Sequence, residues 1–319
     1  MAIYIKVGKQ LKSVEEKKFD VEKDIQKLTE DNLETLFGLK FVSGYSNNEF
    51  SVRAQEQDFY IDTLAFDEQQ KSIIIIEYKK DRNFSVVDQG FSYLSAMLHS
   101  QADLVLELNK RLGKNFSKED IDWDQSRLIF ISPEFTNYQK NAINFKDLPF
   151  LLYEVKIYDN DLVQYEQVKP FRTSVSILKY TKDKVVKDVT SQVKVFNVED
   201  HFKGPKEKQK PLYDYLRDKI FALDPRFKEN PRAPYIGFML GEQFGTHTVV
   251  YVQMQTEKIR TYIPRIRPGH AIDPLKKLKY QKGSEESKNT PTSIMDITSE
   301  EDADYAALII KQVIERFFK

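Results

Sequence analysis

Residues 72–80 read S-I-I-I-I-E-Y-K-K, and this stretch decides how the amino-terminal half of the chain folds. Consecutive β-branched residues favour a strand that is buried on both faces. The run ends in Glu77 and Lys79, and side chains two residues apart on a strand point to the same face. An acid and a base therefore lie side by side at the end of a core strand. This pattern is typical of a strand end that meets water, and it is also what half of an active site requires.

A second carboxylate occurs in the preceding strand-like stretch, D-F-Y-I-D-T-L-A-F at residues 58–66. Asp62 lies in its apolar middle, where a charge costs several kcal/mol unless it is paired or bound to a metal. The polar residues 67–71 predict a turn, so the two strands form a hairpin that brings Asp62 beside Glu77. Two carboxylates about 4 Å apart repel by roughly 4 kcal/mol at an effective dielectric constant near 20. A divalent cation would remove this repulsion.

The chemistry that these residues favour is phosphodiester hydrolysis. Mg²⁺ and Mn²⁺ suit carboxylate, water and phosphate oxygens, and Asp62 and Glu77 supply the carboxylates. Lys79 can orient or deprotonate a water, or neutralise charge on a phosphoryl oxygen. A bound metal would lower the pKa of that water and polarise the phosphate. The alternative is structural: Asp62 is then the buried partner of Arg53 or of Lys79.

The order Asp62, Glu77, Lys79 resembles the D-x(n)-E-x-K signature of the PD-(D/E)XK nuclease superfamily. The resemblance covers roughly residues 20–160 and is most similar to the NucS and RecB-like nuclease domains. It implies a restriction-endonuclease-like α/β fold. It also implies that Asp62, Glu77 and the carbonyl of Tyr78 bind a metal while Lys79 assists the attacking water.

Further positions extend this resemblance. Glu34, on a predicted helix, takes the place of the helix carboxylate that completes the metal site in the family. Gln89 and Tyr93 match the Q-x-x-x-Y element of RecB-like members, and their spacing puts both on one helix face. The resemblance implies a catalytic role for Gln89 and nucleic-acid contacts for Arg53 and Tyr93. No proline precedes Asp62, which departs from the pattern of many members. Taken alone, Glu34 and Gln89 would be ordinary surface residues of helices.

The rest of the amino-terminal half predicts a mixed sheet with helices packed on it. Helical spacing occurs in three segments, at residues 21–37, 86–112 and 135–144. Strand-like segments occur at residues 41–43, 50–53, 58–66, 72–78, 127–132 and 150–158. The predicted fold class is therefore α/β, followed by a second and smaller α+β domain.

The predicted domain boundary is a polar, lysine-rich segment with a glycine and two prolines. We interpret residues 201–211 as a linker. Residues 1–200 then form the nuclease-like domain and residues 212–319 the second domain. The second domain resembles a bacterial domain of unknown function, which implies no established chemistry. Its predicted helices span residues 212–223 and 303–318, and its predicted strands span residues 235–240, 248–254 and 259–263, with a long loop at residues 281–293.

One segment of the second domain, residues 258–282, holds eight basic residues against one acid, with two tyrosines among them. Basic residues interleaved with aromatics are typical of a surface that binds a nucleic-acid backbone. Arg260, Arg265 and Arg267 are the predicted contacts. The alternative is a solvated, lysine-rich face.

Composition narrows the possible functions. The chain has 319 residues, with 49 Lys and Arg against 49 Asp and Glu, so net charge neither supports nor opposes a nucleic-acid partner. The absence of cysteine excludes disulfides, thiolate nucleophiles and cysteine zinc sites. The amino terminus does not resemble a signal peptide, and no apolar run reaches the roughly 20 residues that a membrane span needs. We expect a cytoplasmic protein without a membrane partner.

The function predicted from these observations is a metal-dependent nuclease that acts on DNA or RNA, with DNA preferred, and uses Mg²⁺ or Mn²⁺. A homodimer is left open. The alternative is a non-catalytic, regulatory protein that binds nucleic acid or protein on the same scaffold.

Overall fold

Strand Ser72–Tyr78, which contains the isoleucine run, lies inside a mixed sheet in the first of two units of the chain. The units are Met1–Val195 and Phe196–Lys319. The structure is a computed structural model and describes residues 3–47, 50–54, 57–68, 70–80, 85–169, 175–240, 248–264, 266–267, 269–281 and 292–317.

The first unit contains the strands and helices predicted between residues 21 and 158, and also three strands within residues 3–17, a strand at residues 163–168 and a helix at residues 184–192 that the sequence patterns do not predict. The strands are β1 (Ile3–Val7), β2 (Gln10–Val14), β3 (Glu16–Lys17), β4 (Lys40–Ser43), β5 (Phe50–Ala54), β6 (Gln57–Ile61), β7 (Thr63–Asp67), β8 (Ser72–Tyr78), β9 (Arg127–Ser132), β10 (Phe150–Tyr158) and β11 (Val163–Val168). The helices are α1 (Glu22–Asp31), α2 (Leu33–Phe37), α3 (Val86–His99), α4 (Gln101–Leu112), α5 (Asn137–Ala142) and α6 (Lys184–Gln192).

The central sheet has seven strands in the order β11-β10-β9-β8-β7-β4, and β3 also pairs with β10. Strand β9 runs parallel to both β8 and β10, whereas the β4–β7, β7–β8 and β10–β11 pairs are antiparallel. Strand β8 is hydrogen-bonded on both edges, and all of its residues are buried. The predicted mixed α/β class and the doubly buried isoleucine strand are therefore confirmed.

The two faces of β8 meet different layers of the unit. Ile73 and Ile75 belong to the apolar core that includes Leu94 of α3. Alternate side chains of a strand point to opposite faces, so Ile76 and Tyr78 point away from this core, toward α1. Glu77 therefore shares the α3 face with Ile73 and Ile75. This alternation decides which helix each residue at the end of β8 can contact.

The predicted strand at residues 58–66 is two strands, because the chain bends at Asp62. Strand β6 pairs with β5 in a separate two-stranded sheet, whereas β7 joins the central sheet. The prediction of one continuous strand is wrong because Asp62 stands where the chain leaves one sheet and enters the other. The hairpin prediction is confirmed, since Asp67 of β7 lies opposite Ser72 of β8.

The predicted helical segments are also subdivided. Residues 21–37 form α1 and α2, which are separated at Asn32, and α2 ends at Gly38 in the left-handed conformation with φ 66°. Residues 86–112 form α3 and α4, which are separated at Ser100. Helix α3 begins after Ser85, whose hydroxyl accepts a hydrogen bond from the amide of Asp88 at 3.2 Å. Such a cap satisfies one of the unpaired amides of a first helical turn.

The second unit is an antiparallel sheet of six strands with helices packed on it, which confirms its α+β class. The strand order is β12-β13-β14-β15-β17-β16. Helix residues Leu216 and Ile310 share one apolar core with strand residues such as Val252. The elements are α7 (Lys210–Leu223), β12 (Phe227–Pro231), β13 (Ile236–Leu240), β14 (Thr248–Met254), β15 (Ile259–Pro264), β16 (Lys279–Gln281), β17 (Thr292–Ile297) and α8 (Glu300–Phe317). In the parts of the chain that the structure describes, no helix combines the length and apolar character of a membrane span.

The predicted linker at residues 201–211 is folded and belongs to the second unit. Residues Val198–Phe202 and Gly204–Gln209 form short 3₁₀ helices. The Phe202 side chain is buried, and the centroid of its ring lies 5.2 Å from the centroid of the Tyr213 ring. The linker prediction is wrong because contacts such as this one, and the hydrogen bond from Nε2 of Gln209 to the carbonyl of Thr256 at 2.9 Å, anchor a segment whose composition is that of a linker. Of the predicted loop at residues 281–293, residues 282–291 lie outside the described part of the chain.

Gly90 of α3 sets the distance between this helix and β10. A Cβ atom at this position would lie 2.5 Å from Cζ of Phe150. The Phe150 ring is itself held edge-on by Phe91, with ring centroids 5.1 Å apart. Only a residue without a side chain lets α3 pack this closely on the sheet.

We expect Gly90→Ala to lower the free energy of unfolding by about 1 to 3 kcal/mol, because overpacking displaces the Phe150 ring. Urea denaturation measures this change, and adding Phe150→Leu should recover part of the loss. Helix propensity alone would make the alanine variant more stable by about 1 kcal/mol. A rise of about 1 kcal/mol in the free energy of unfolding would show that residue 90 and Phe150 are not in tight contact.

Candidate functional site

Asp62, Glu77 and Lys79 come together at the end of the β7–β8 hairpin. Thr63 lies opposite Ile76, so Asp62, the preceding residue, stands opposite Glu77. Oδ2 of Asp62 accepts a hydrogen bond from the backbone N–H of Tyr78 at 3.1 Å. Nζ of Lys79 lies 2.6 Å from Oε1 of Glu77. The three side chains of the signature therefore form one cluster.

The Glu77–Lys79 pair is sheltered from water. Only 4% of the Glu77 side chain and 20% of the Lys79 side chain are exposed. Burial raises the pKa of Glu77, although the charge and hydrogen bond of Lys79, and contacts with Tyr93 and Asp62, lower it in part. Burial lowers the pKa of Lys79, but the charge and hydrogen bond of Glu77 and the charge of Asp62 outweigh this effect and raise it. The lysine is cationic at neutral pH.

The second carboxylate oxygen of Glu77 is buried and unsatisfied. No donor in the described ranges of the chain reaches Oε2 of Glu77 within hydrogen-bond distance. Leaving a buried acceptor without a partner costs about 1 to 3 kcal/mol, and more for a charged group. A cation or a water at this oxygen would remove the cost. This unsatisfied oxygen, on the residue opposite Asp62, is the feature of the site that fits a metal ion.

The set of possible metal ligands is small. Asp62 and Glu77 supply two carboxylates, and the carbonyl of Tyr78 is the third ligand that the resemblance implies. Among the residues that the structure describes, no group of three or more His, Cys, Asp or Glu side chains is placed to hold a metal. Mg²⁺ commonly binds through one or two carboxylates and takes its other ligands from water and substrate phosphates. The residues present therefore fit Mg²⁺ or Mn²⁺ better than an ion that needs a full protein cage.

The structure does not bring Glu34 to this cluster. The Glu34 side chain is 72% exposed, and its carboxylate pairs with Nζ of Lys40 at 2.6 Å. It lies on α2, after the break at Asn32, so the regular spacing of α1 does not extend to it. The carboxylate on the helix that approaches Asp62 is Glu30, near the end of α1 and only 7% exposed.

Glu30 fixes the backbone on which Asp62 stands. Its Oε1 accepts hydrogen bonds from Thr63 Oγ1 at 2.6 Å, from Gln26 Nε2 at 3.0 Å and from the amide of Tyr45 at 3.1 Å. Nε2 of Gln26 also donates to the carbonyl of Asp62 at 2.7 Å. Gly44 is required here, because a Cβ atom at that position would overlap Oε1 of Glu30. Hydrogen bonds to the carboxylate of Glu30 thus connect α1, the loop after β4 and the bend of the chain between β6 and β7.

The sequence contains a signal for Glu30 that the prediction of Glu34 overlooked. The buried residues of α1 are Ile25, Gln26, Thr29 and Glu30, so polar side chains occupy the core-facing side of this helix. Buried polar groups need partners, and their presence on a core-facing stripe indicates a hydrogen-bond network.

Helix α3 presents Tyr93 and Gln89 on the side that faces the cluster. Tyr93 contributes to lowering the pKa of Glu77, and its hydroxyl donates a hydrogen bond to the carbonyl of Tyr60 at 3.1 Å. Gln89 lies one turn earlier, and its Oε1 is buried without a hydrogen-bond donor from the described residues. Arg53 is exposed on β5, across from Asp58.

The predicted basic surface of the second unit is partly neutralised. Nε of Arg260 lies 2.7 Å from Oδ1 of Asp296, and Nζ of Lys258 lies 2.6 Å from Oδ2. The hydrogen bonds from Arg260, aided by Lys258, outweigh burial and lower the pKa of Asp296 to about 2. Two of the cations in this segment therefore share an acid from a neighbouring strand. Arg267 is exposed, whereas Arg265 lies outside the described residues.

The chain is similar in sequence to a domain family and to a protein whose descriptions give no activity. Residues 198–312 match the family described as "Domain of unknown function (DUF5655)". A protein of Haemophilus influenzae, described as "Uncharacterized protein", is 34% identical over 316 residues, which cover 99% of this chain and 100% of that protein. No solved structure matches the chain. The relative matches both units and the family matches the second unit, and neither description names a reaction.

We expect Glu30→Ala to lower the free energy of unfolding by about 2 to 3 kcal/mol, because two buried side-chain donors and the amide of Tyr45 lose their acceptor. Glu34→Ala is the matched control and should cost no more than about 1 kcal/mol, as an exposed ion pair does. Urea denaturation of both variants makes the comparison. Equal losses would contradict the buried role of Glu30.

Because the pKa of Glu77 is raised in the folded protein, its negative charge lowers the free energy of unfolding by an amount that depends on pH. In the unfolded chain the pKa of a glutamate carboxyl is about 4.3. Above this value the folded protein holds the proton more tightly than the unfolded one, so the free energy of unfolding falls as pH rises toward the folded pKa.

Glu77→Gln lacks this titration but leaves Lys79 without its partner, so its stability relative to the wild type should depend on pH. The free energy of unfolding of Glu77→Gln, relative to that of the wild type, should rise as pH increases from about 4 toward neutral. Denaturation at several pH values measures it, with Glu34→Gln as the control. A difference between wild type and Glu77→Gln that does not change with pH would contradict this assignment.

Proposed function

We propose that this chain, which belongs to the same family as the uncharacterized Haemophilus influenzae protein, is a metal-dependent nuclease that hydrolyses phosphodiester bonds, with DNA as the preferred substrate. The observation that carries the proposal is the cluster at the end of β8. Asp62 lies opposite Glu77, Lys79 lies 2.6 Å from Glu77, and one buried oxygen of Glu77 has no donor among the described residues.

The fold of the first unit supports the proposal. Helix α1 precedes the antiparallel strands β4, β7 and β8, and helices α3 and α4 then lead to the parallel strand β9. This order agrees with the restriction-endonuclease-like fold that the sequence resemblance implies. A strand buried on both faces also suits a site that must hold charged groups rigidly.

The residues of the cluster divide the chemistry among them. Asp62, Glu77 and the carbonyl of Tyr78 would hold Mg²⁺ or Mn²⁺, which supplies positive charge to the phosphate and a lowered pKa for the attacking water when bound. Lys79 is a cation on the same face, and it can orient a water or stabilise charge that grows on a phosphate oxygen. Because Glu77 is buried, these electrostatic contacts act at a lower effective dielectric than in bulk water.

The surrounding residues would bind and position the nucleic acid. Gln89 offers a buried amide oxygen on the α3 side of the cluster, and Tyr93 lies one turn further along the same helix. We propose that Gln89 orients a group at the reacting centre. We assign Arg53 and Tyr93 of the first unit to nucleic-acid contacts. In the second unit we assign the same role to Arg260, Arg265 and Arg267.

A second candidate function is non-catalytic binding of nucleic acid or protein by the same scaffold. The observation that favours it is that the two carboxylates of the cluster already have partners within the protein. Lys79 already neutralises Glu77, and Asp62 already accepts a hydrogen bond from Tyr78. Such contacts can hold a strand end in place without any metal.

Incubating the full-length protein with plasmid, single-stranded and branched DNA, plus Mg²⁺ or Mn²⁺, tests the proposal. We expect wild-type cleavage, and losses of roughly 100-fold or more for Asp62→Asn, Glu77→Gln and Lys79→Ala, because each removes a charge at the reacting centre. Glu34→Gln is the matched carboxylate control and should cleave like the wild type.

The same variants separate the two candidates. Binding that is equal in wild type, Asp62→Asn and Glu77→Gln, with no cleavage under any condition, would contradict the nuclease and support the second candidate. Equal cleavage by wild type and Asp62→Asn would show that the activity does not arise at this cluster.

A further inference from the structure

Lys79 lies just beyond the end of a strand, although its side chain is paired as if the strand continued. Strand β8 ends at Tyr78, and the amide of Lys79 donates a hydrogen bond to the carbonyl of Ile131 at 2.9 Å. Side chains two residues apart share a face only while the backbone stays extended. The 2.6 Å contact between Glu77 and Lys79 therefore depends on what holds the chain at and after residue 79.

The next residue, Lys80, is held by the beginning of helix α1. Its amide donates a hydrogen bond to Oε1 of Glu22 at 3.0 Å, and its Nζ donates to the carbonyl of Asp20. Residues 81–84 lie outside the described part of the chain. The two hydrogen bonds hold residue 80 beside α1 at the point where the chain leaves the central sheet.

Glu22 belongs to a polar stripe of α1 that contacts the backbone around the candidate site. Glu22, Gln26 and Glu30 are spaced four residues apart, so they lie on one side of the helix. Gln26 donates to the carbonyl of Asp62 at 2.7 Å, whereas Glu22 accepts from the amide of Lys80. Four residues of an α-helix rise about 6 Å, and positions on a helix are more precise than positions on a loop. Helix α1 therefore fixes the backbone of Asp62 relative to residue 80.

We propose that Glu22 is a positioning residue for Lys79. Its hydrogen bond to the amide of residue 80 keeps the backbone extended through residue 79, so that Nζ of Lys79 stays against Glu77. The inference rests on the proposed function, because Lys79 is assigned there to the reacting centre. Glu22 acts through the backbone of residue 80, which distinguishes it from the proposed metal ligands Asp62 and Glu77.

A lysine depends on such an anchor because its side chain is long and flexible. The side chain carries about 2 kcal/mol of rotamer entropy, and a fixed backbone direction limits the positions that Nζ can reach. The Lys79 side chain is 20% exposed, so water competes with Glu77 for its ammonium group. A displacement of about 1 Å at a reacting centre can lower the rate about 100-fold. A hydrogen bond that orients the backbone of residue 79 therefore has a catalytic consequence.

Steady-state kinetics of the full-length protein, with Mg²⁺ and the DNA that the wild type cleaves, test the proposal. We expect Glu22→Ala to lower kcat by about 10-fold with little change in KM, because a displaced cation weakens the reacting centre and not substrate binding. Glu22→Gln should recover most of this loss, because its amide oxygen still accepts the hydrogen bond from residue 80. Glu34→Ala is the matched control and should cleave like the wild type, since this exposed carboxylate pairs with Lys40.

Lysine ammonium NMR tests the contact without relying on cleavage. Protein with isotope-labelled lysines should show a protected signal for Nζ of Lys79, because a hydrogen bond and shelter from water slow the exchange of its protons. Loss of the signal in Lys79→Arg assigns it. The Lys79 signal should broaden or disappear in Glu22→Ala and persist in Glu22→Gln and Glu34→Ala.

The outcomes separate this inference from the proposed function. A wild type that cleaves no DNA contradicts the proposed function, and with it the catalytic consequence of Glu22. A Lys79 signal that is the same in the wild type and in Glu22→Ala would overturn the inference even when the wild type cleaves. Equal losses of kcat in Glu22→Ala and Glu22→Gln would also overturn it, because the hydrogen bond to residue 80 would then not be the cause.

Discussion

The hydrogen bond from the Tyr78 amide to Asp62 connects the end of the isoleucine strand to the point where the chain changes sheets. It holds the carboxylate of Asp62 beside β8, directly opposite Glu77. Strand β8 is paired on both edges and buried on both faces, so its end has little freedom to move away. The remaining groups of the candidate site, from Lys79 to the residues on α3, are arranged around this junction.

The junction depends in turn on polar groups that are themselves buried. Glu30 accepts hydrogen bonds from three segments, and Gln26 carries this network to the carbonyl of Asp62. Burying charges is costly, and the cost is offset only where donors surround them. Glu30 has such donors, whereas one oxygen of Glu77 has none among the described residues. Under the proposed function, this contrast separates a carboxylate that holds the fold from one that would bind a metal.

The sequence predicts the local elements and the core of the site, because both depend on short-range patterns. The isoleucine run, the turn after Asp67 and the two-residue spacing of Glu77 and Lys79 determine a hairpin with a fixed register. The bend at Asp62 is not predicted, because the residues on both sides of it favour strands and their pairing with different sheets is a long-range choice. Glu34 is predicted in place of Glu30 because the helix break at Asn32 has no strong local signal.

Long-range contacts also determine which residues of the second unit are buried and which charges are paired. Phe202 gives a lysine-rich segment a place in a core, and Asp296 neutralises Arg260 from a neighbouring strand. Composition alone predicts a linker and a basic surface at these positions, since it contains no information about which residues meet.

The most direct test of the account is anomalous diffraction from crystals of the protein grown with Mn²⁺. The account predicts one Mn²⁺ ion bound by Asp62 and Glu77, at roughly 2.0 to 2.5 Å from a carboxylate oxygen of each, and its loss in Asp62→Asn. A structure at saturating Mn²⁺ with no anomalous peak at this cluster, or with the same peak in Asp62→Asn, would contradict it.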